Sequence, residues 1–273
     1  MSKTVATKSV RRKPSNTGRL TQWLIPAMPW LVCAGAVLIW ELACIIFSIP
    51  EFILPKPSQI ADVLVSSADA IWFHSKQTLI TTSVGFALSV VFGLLMGIAV
   101  GASRFIYRGF YPLLIGFNSV PKVALVPVLV VWFGIGTVPA ILTAFLMSFF
   151  PIVVNVATGL ATVEPELEDV LRSLGAKKRD LIFKVGLPRS LPFFFASLKV
   201  AVTLAFVGSV ISESIASSVG IGTLMVRAAS DFRISLVFAG LVVTAVMGVV
   251  MYATFAVLEH HTTGWAVRSD NAN

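Results

Sequence analysis

Long hydrophobic runs without charge alternate with short charged segments along this chain. In the longest run, from Val123 to Val163, 41 consecutive residues lack an acidic or basic side chain. One membrane helix needs about 20 apolar residues, so this run predicts two spans joined by a turn. Glycine and proline interrupt the run between Gly134 and Pro139, where we place the turn.

The same pattern predicts six transmembrane helices over the whole chain. Five of them are continuous, and the third begins after Arg108 and is broken by Pro121 and Pro127. The expected fold is therefore an all-α polytopic membrane protein. The five continuous spans are placed at 24–48, 77–103, 138–160, 190–213 and 235–258.

The composition also favours a chain that folds in a lipid bilayer. Hydrophobic residues make up 56% of the 273 residues, charged residues make up 12%, and the mean hydropathy is +0.89. This leaves too little polar surface to cover a soluble protein of that length. The net charge of +8 would suit nucleic acid if the basic residues shared one soluble face, but they lie between apolar spans. We expect membrane lipid, and no nucleic acid, around the chain.

The distribution of lysine and arginine predicts the orientation. If the six spans alternate in direction, 15 of the 21 basic residues fall on the same side as the amino terminus. Cytoplasmic segments of membrane proteins carry such an excess, so both termini are predicted to be cytoplasmic. The expected domains are a basic tail at 1–22, a six-helix domain at 23–260 with a cytoplasmic loop at 161–189, and a tail at 261–273.

Two spans carry small residues at helical spacing. Gly93, Gly97 and Gly101 form two overlapping G-x-x-x-G units, and Gly240 and Gly248 continue the same spacing through Thr244. Small residues at this interval let two helix backbones approach closely. We expect that contact within one chain, with a seam between two copies as the alternative.

Four charged residues fall inside the predicted spans, where charge is costly unless it faces protein or water. We expect Glu41 to hydrogen-bond a neighbouring helix and Lys199 to extend to the membrane interface without a partner. Lys122 lies mid-span, where it can meet a passing anion or pair with Glu213 or Glu41. Glu213 precedes a Ser/Gly-rich segment and is a candidate for an outer gate.

The loop at 161–189 is predicted to contain a short amphipathic helix. Pro165 and several acids crowd its start, as in the first turn of a helix, and Gly175 stands where a left-handed cap is expected. The helix could rest on the bilayer surface, but the acids at its start favour docking into a groove on another protein. Its apolar stripe consists of Leu167, Val170, Leu171 and Leu174.

A second short helix is predicted after this one. It is expected to run from Lys177 to Val185 and to stop before Leu187-Pro188, because the residue before a proline disfavours the helical conformation.

The loop resembles the glutamate-alanine-alanine motif found in the permease subunits of ABC importers. The likeness rests on the spacing of Asp169 through Ala176 and then Val185-Gly186-Leu187-Pro188. Asp169 stands where that family has glutamate, and Val170 and Leu171 replace the two alanines. We therefore expect a bulkier docking surface than is usual in the family.

Five further motifs resemble the branch of that family which imports nitrate, taurine and aliphatic sulfonates. They occur in the expected order, and the likeness covers roughly residues 25–260. The motifs are Leu54-Pro55-Lys56-Pro57-Ser58, Pro121 to Pro127, Trp132-Phe133-Gly134-Ile135-Gly136, Phe149-Phe150-Pro151-Ile152 and Gly220-Ile221-Gly222.

The resemblance implies a six-helix permease of the type I ABC importer fold, working by alternating access. It implies a second copy of the permease, two cytoplasmic ATPase subunits and an external substrate-binding protein as partners. Its coupling residues would be Leu167, Asp169, Val170, Leu171, Arg172, Leu174, Gly175 and Pro188. Its pathway residues would be Pro121, Lys122, Pro127, Glu213, Gly220 and Gly222.

The chain shows no G-x-x-x-x-G-K-[ST] sequence, so ATP and Mg²⁺ are expected on the partner ATPase and no cofactor on this chain. We expect neither catalytic residues nor a metal site. The implied cargo is a small anion such as a sulfonate, taurine or nitrate. A thiamine precursor or an aromatic carboxylate is the alternative cargo, and an ion-coupled secondary transporter is the rival class.

Overall fold

The computed structural model describes residues 17–161, 170–171, 173–177 and 180–263. The chain divides into two compact units, Met1–Ser58 and Gln59–Asn273. All regular secondary structure in the described residues is helical. The α-helices are α1 (Thr17–Ile46), α2 (Pro57–Ser66), α3 (Ala68–Gly101), α4 (Arg104–Ser119), α5 (Val126–Phe133), α6 (Thr137–Ala161), α7 (Leu187–Ala216), α8 (Ile221–Ser230) and α9 (Ile234–Thr263).

In the first unit, a carboxylate links α1 to the start of α2. Glu41 accepts a hydrogen bond of 2.8 Å from the Ser58 hydroxyl and one of 3.1 Å from the Ser58 N–H. Amides in the first turn of a helix lack partners within the helix, so the carboxylate satisfies one of them. The expectation that Glu41 hydrogen-bonds a neighbouring helix is confirmed.

Five helices are long and apolar enough to cross a membrane, and a bent pair supplies a sixth. The bent pair is Phe105–Ser119 followed by Lys122–Phe133, with an angle of 73° between its parts. Pro121 lies at the bend because proline lacks the N–H that would continue α4. The prediction of an all-α membrane protein with a broken third span is confirmed. The short helices α2 and α8 were not predicted.

The second unit is built on close contacts between α3, α6 and α7. The glycine row of α3 faces α6: a Cβ at Gly97 would lie 2.7 Å from the Val156 Cβ, and one at Gly93 would lie 2.9 Å from the Ile152 Cβ. These glycines are therefore in contact with a helix of the same chain, as expected. In α9, a Cβ at Gly240 would lie 2.6 Å from the Met225 Cγ of α8.

A lysine of α7 pairs with a glutamate of α9 in this unit. Lys199 Nζ lies 2.5 Å from the Glu259 carboxylate, and both side chains are mostly covered. The expectation that Lys199 has no partner is wrong, whereas its extension to the membrane interface stays a prediction. The packing of α9 beside α7 brings an acid to the lysine, and a partly covered ammonium is stabilised by that opposite charge.

We expect Gly97→Ala to lower the melting temperature of the purified protein by several degrees. The added Cβ would lie 2.7 Å from the Val156 Cβ and 3.1 Å from the Val153 carbonyl oxygen, so α3 and α6 must separate. Overpacking of this kind costs about 1–3 kcal/mol. Thermal unfolding in detergent measures the change.

The matched control is Gly109→Ala in α4, where an added Cβ meets nothing within 4 Å. Alanine favours a helix over glycine by about 1 kcal/mol, so this variant should be at least as stable as the parent. Equal melting temperatures for the two alanine variants would contradict the close approach of α3 and α6.

Candidate functional site

The most buried charged group described is the carboxylate of Glu213 in α7, whose residue is only 1% exposed. The Thr78 hydroxyl lies 2.7 Å from Oε2, and the Thr81 hydroxyl lies 2.9 Å from Oε1. Ser209, one turn earlier in α7, contacts Thr81 through its hydroxyl. We call Glu213, Thr78, Thr81 and Ser209 the Glu213 cluster. Within the described part of the chain its carboxylate is bound by hydroxyl groups, which stabilise it without an opposite charge.

The cluster also holds the turn between α7 and α8. The N–H of Ile221 donates to Thr78 Oγ1 at 2.9 Å. His74 Nδ1 lies 3.0 Å from the Gly220 nitrogen and 2.9 Å from the Gly220 oxygen, so it accepts from the amide or donates to the carbonyl according to its tautomer. Side chains of α3 thus bond the backbone at the start of α8.

The Gly220-Ile221-Gly222 sequence is explained by this packing. Gly220 has φ +138°, and a Cβ there would lie 2.3 Å from the Glu213 carboxyl carbon. A Cβ at Gly222 would lie 2.3 Å from the Val210 carbonyl oxygen. Both positions therefore require glycine. The structure packs Gly220 against Glu213 and Gly222 against the same helix; their place in a translocation pathway stays a prediction.

A second turn is bonded to the same end of α7. The N–H of Gly136, in the turn between α5 and α6, donates to the Ala216 carbonyl at 3.0 Å. The Gln77 amide of α3 donates to the Thr137 hydroxyl at 3.2 Å. The Trp132–Gly136 motif and the Gly-Ile-Gly motif, far apart in sequence, therefore converge on the last turn of α7.

Sequence reasoning missed Thr78, Thr81, Ser209 and His74. Threonine and serine are common in membrane helices, where they can bond to their own backbone, so they carry no distinctive signal. The one available hint was that Thr78, Thr81 and Thr82 share one face of a helix.

Lys122 lies at the bend of the third span and not in the middle of a continuous helix. It is the first residue of a short 3₁₀ turn, Lys122–Leu125. Its Nζ donates to the Asn118 carbonyl at 2.8 Å and to the Asn118 Oδ1 at 3.0 Å, and lies 5.1 Å from the centre of the Phe150 ring. The ammonium thus caps the end of α4 and contacts an aromatic face.

Among the described residues of the second unit, the Lys122 ammonium bonds to Asn118, whereas the Glu213 carboxylate accepts from the Thr78 and Thr81 hydroxyls. The structure therefore shows other partners for both members of the pair considered between Lys122 and Glu213. The two prolines also differ in role: Pro121 follows the end of α4, whereas Pro127 lies in the first turn of α5. Proline is favoured in that first turn because the missing N–H would have no partner there, so Pro127 begins a helix and does not break one.

The described part of the loop shows the predicted cap. Gly175 has φ +86°, and the Ala176 N–H donates to the Leu171 carbonyl at 3.0 Å. This is the hydrogen bond of a Schellman motif. Val170 is 56% exposed and Leu174 is 77% exposed, so two members of the apolar stripe present their side chains at the surface of the described residues. Leu167, Asp169 and Arg172 lie outside the described residues.

The prediction for the second short helix is wrong at its end. A π-helix spans Leu181–Gly186 and continues directly into α7, with Pro188 in the first turn of α7. The proline is accommodated because that turn needs no N–H from it. Across the described residues, no group of three or more His, Cys, Asp or Glu side chains is placed to bind a metal.

Comparison with known proteins identifies the family. Residues 89–264 match the family described as the binding-protein-dependent transport system inner membrane component. The chain belongs to this family. The matched region contains Lys122, the 161–189 loop and Glu213, and the resemblance to ABC importer permeases inferred from the motifs is confirmed. The protein is thus a multi-pass inner membrane permease subunit of such an importer.

Two relatives are similar over most of their length. The formylaminopyrimidine transport permease protein ThiX of Halalkalibacterium halodurans is 31% identical, over 87% of this chain and 95% of that protein. The taurine transport system permease protein TauC of Escherichia coli is 30% identical, over 83% of this chain and 84% of that protein.

A solved structure shares the fold. The inward-facing MetNI methionine ABC transporter aligns over 74% of this chain and 98% of its own chain, with a TM-score of 0.61 and 19% identity. The type I importer permease fold expected from the sequence is confirmed.

Proposed function

We propose that this permease forms the translocation pathway of an ATP-driven importer for a small anion of the sulfonate, taurine or nitrate type. Two copies would assemble with two ATPase subunits and an external substrate-binding protein. Both termini and the 161–189 loop would face the cytoplasm, in keeping with the excess of basic residues in those segments.

The ammonium of Lys122 carries the proposal for an anion. An ammonium has three N–H donors, and the two hydrogen bonds to Asn118 leave one for another acceptor. The residue is half-buried at a break between helices. Charge at membrane depth faces protein or a water-filled path, so Lys122 is suited to meet a sulfonate, carboxylate or nitrate passing the bend.

The exposed stripe of the loop is the proposed contact with the ATPase. Val170 and Leu174 point away from the described parts of the chain, and apolar side chains on a short helix suit a groove on another protein. Leu167, Asp169, Val170, Leu171, Arg172, Leu174, Gly175 and Pro188 would form the coupling segment. ATP and Mg²⁺ would bind the ATPase.

A formylaminopyrimidine is the second candidate cargo. It is suggested by the similarity to ThiX, which extends over 87% of this chain. An aromatic pyrimidine could stack on Phe150 or neighbouring rings of α6. In that case Lys122 would donate to a ring nitrogen or carbonyl oxygen and its charge would matter less.

The test begins with affinity purification of the tagged permease from its native membrane, followed by mass spectrometry. Recovery of an ATPase subunit supports the proposal, and its consistent absence would contradict it. The purified complex is then reconstituted in liposomes with its binding protein. ATP-dependent uptake of taurine, nitrate and formylaminopyrimidine is compared, and uptake of the pyrimidine alone would favour the second cargo.

We expect Gly175→Val to weaken copurification of the ATPase and to reduce transport. Valine at φ +86° is strained, because a β-branched side chain is rarely found at positive φ and the left-handed conformation costs an L-residue with a Cβ about 1–2 kcal/mol. The cap would open and the exposed Leu174 would shift. Gly175→Asn serves as the control, since asparagine tolerates this conformation. Full ATPase recovery with valine would remove Gly175 from the coupling role.

A further inference from the structure

A groove opens between α2, α3 and α9 in the second unit. The residues that line it include Leu64 of α2, Ile71, Ser75 and Leu79 of α3, and Val243 and Met247 of α9. We call it the α3–α9 groove. Its volume is about 270 Å³, below the roughly 300–1,000 Å³ of sites that enclose a small molecule. It therefore has room for part of an extended apolar chain and not for a whole enclosed ligand.

The groove extends from headgroup level into the hydrocarbon of the bilayer. The 34 residues of α3 have a length of about 51 Å, whereas the hydrocarbon core is about 30 Å thick. Asp69, His74 and Lys76 lie in the first turns of α3, and the rest of the helix carries no charged residue. The first turns are therefore placed at headgroup level. Met247 lies well inside the apolar span of α9, at hydrocarbon depth.

Ser75 places a buried hydroxyl in the wall of this groove. The residue is 4% exposed, and within the described part of the chain its Oγ has no hydrogen-bond partner. By contrast, Ser89 of the same helix bonds to the Gly85 carbonyl one turn earlier at 3.0 Å. A buried hydroxyl without a partner costs free energy, so an acceptor oxygen on a molecule in the groove would stabilise it.

A cation lies at the headgroup end of the groove. Trp72 lines the groove and is 60% exposed. The Nζ of Lys76, an exposed residue, lies 5.7 Å from the centre of the Trp72 ring. Tryptophan is enriched at membrane interfaces, and a lysine there extends its ammonium towards the headgroups. The groove and its cation are thus complementary to an amphipathic molecule with a negatively charged headgroup.

We propose that the α3–α9 groove binds an anionic phospholipid. An acyl chain lies along Leu79, Val243 and Met247, Ser75 donates to an ester oxygen of the glycerol region, and Lys76 binds the phosphate. The three chemical parts of the lipid meet these groups in the same order, from hydrocarbon depth to headgroup level. In the orientation proposed above, the lipid belongs to the outer leaflet. The inference goes beyond the proposed function, because it holds for any cargo.

The first experiment measures the lipid that the purified permease retains, by native mass spectrometry. The protein is depleted of lipid in detergent and then incubated with phosphatidylglycerol, phosphatidylcholine or glycerol 3-phosphate. Phosphatidylglycerol should bind about fivefold more tightly than phosphatidylcholine, because a basic residue near the surface favours anionic lipid by about that factor. Glycerol 3-phosphate lacks an acyl chain and should not be retained. Equal retention of the two phospholipids would overturn the proposal.

Paired variants locate the lipid. Val243→Trp fills the groove and should abolish retention of phosphatidylglycerol, whereas Val246→Trp changes a 57% exposed position of the same helix and should retain it. Lys76→Gln should lower retention of phosphatidylglycerol to that of phosphatidylcholine. Arg233→Gln, which removes an exposed cation after α8, is its control. If each control lost as much lipid as its partner, the lipid would not lie in this groove and the proposal would be overturned.

The second experiment identifies the occupant of the groove in the native membrane. A photo-reactive diazirine analogue of methionine is incorporated into the parent chain, and the peptide that contains Met247 is analysed by mass spectrometry after illumination. An adduct with the mass of a phospholipid is expected. A cross-link from this peptide to α1, of the same or a second copy, would show that a helix covers the groove and would overturn the proposal.

Discussion

Replacing Glu213 with leucine should lower both the stability and the transport activity of the permease. The carboxylate accepts hydrogen bonds from Thr78 and Thr81 and lies against Gly220, so its removal breaks the side-chain hydrogen bonds that link α7 to α3. Each hydrogen bond to a charged group contributes about 1.5–3 kcal/mol. Against this, leucine removes the cost of burying a charge. We expect a net loss of about 3 kcal/mol and a clear drop in melting temperature.

The threonine hydroxyls would not be left without partners in this variant. Thr78 can turn to the His74 carbonyl at 3.3 Å, and Thr81 can turn to the Thr78 carbonyl at 3.0 Å. The destabilisation therefore comes from the lost link between helices and not from orphaned hydroxyls. Glu213→Gln should be milder, because the amide oxygen can still accept from one threonine.

Ser214→Ala is the matched control for Glu213. Its hydroxyl donates to the Val210 carbonyl of its own helix at 2.8 Å and links no two helices through that bond, so its loss should change the melting temperature little. Transport and thermal unfolding of the variants are measured together. If Glu213 contacted cargo, Glu213→Leu would lose transport and keep its stability, which would contradict a role in joining the helices.

The spans of this protein could be predicted from the sequence because each is a local property. Hydrophobic length locates α3, α6, α7 and α9 without knowledge of their neighbours. The positive φ of Gly175 was equally accessible, since a glycine after an apolar stripe marks a helix end within a few residues. Spans and helix ends of this kind can be predicted from neighbouring residues alone, without knowledge of long-range contacts.

The partners of the buried charges could not be predicted, because they depend on pairing between distant residues. Thr78 and Glu213 are 135 residues apart in sequence, and nothing local marks the threonine. The same reason explains why Lys199 was not matched with Glu259. The sequence shows that four charged residues lie in spans, where burying a charge costs free energy. Only the packing of the helices shows which group forms a hydrogen bond or ion pair with each of them.

The bend at Lys122 lies between these two cases. Pro121 and Pro127 predicted a break in the third span, and the structure has one. The two prolines act differently, since one follows α4 and the other opens α5. That difference depends on where each helix is capped, and the cap of α4 is supplied by the Lys122 ammonium.

Replacing Lys122 with methionine should sharply reduce uptake of an anionic cargo and leave stability nearly unchanged. The hydrogen bonds of Lys122 go to Asn118, an exposed residue, so water can take over the carbonyl when the ammonium is removed. Methionine keeps most of the stem and a favourable contact with the Phe150 ring. The folded state therefore loses little.

The loss of transport follows from the charge. A hydrogen bond to a charged group contributes about 1.5–3 kcal/mol, which corresponds to about a tenfold to hundredfold weaker interaction with an anion at the bend. Lys122→Arg keeps the charge and is the matched control. If the cargo is taurine or nitrate, uptake by the reconstituted complex should be highest for the parent, somewhat lower for Lys122→Arg and lowest for Lys122→Met. A positive charge near the anion contributes more to its binding than the exact arrangement of the N–H donors, which differs between lysine and arginine.

The same variants separate the two cargoes. A formylaminopyrimidine carries no full negative charge to pair with Lys122, so its uptake should change only a few-fold in Lys122→Met, as for loss of one neutral hydrogen bond of about 1 kcal/mol. Parental uptake of every cargo by Lys122→Met, at parental stability, would exclude Lys122 from the pathway. The ammonium would then serve only as the cap that ends α4 and sets the bend of the third span.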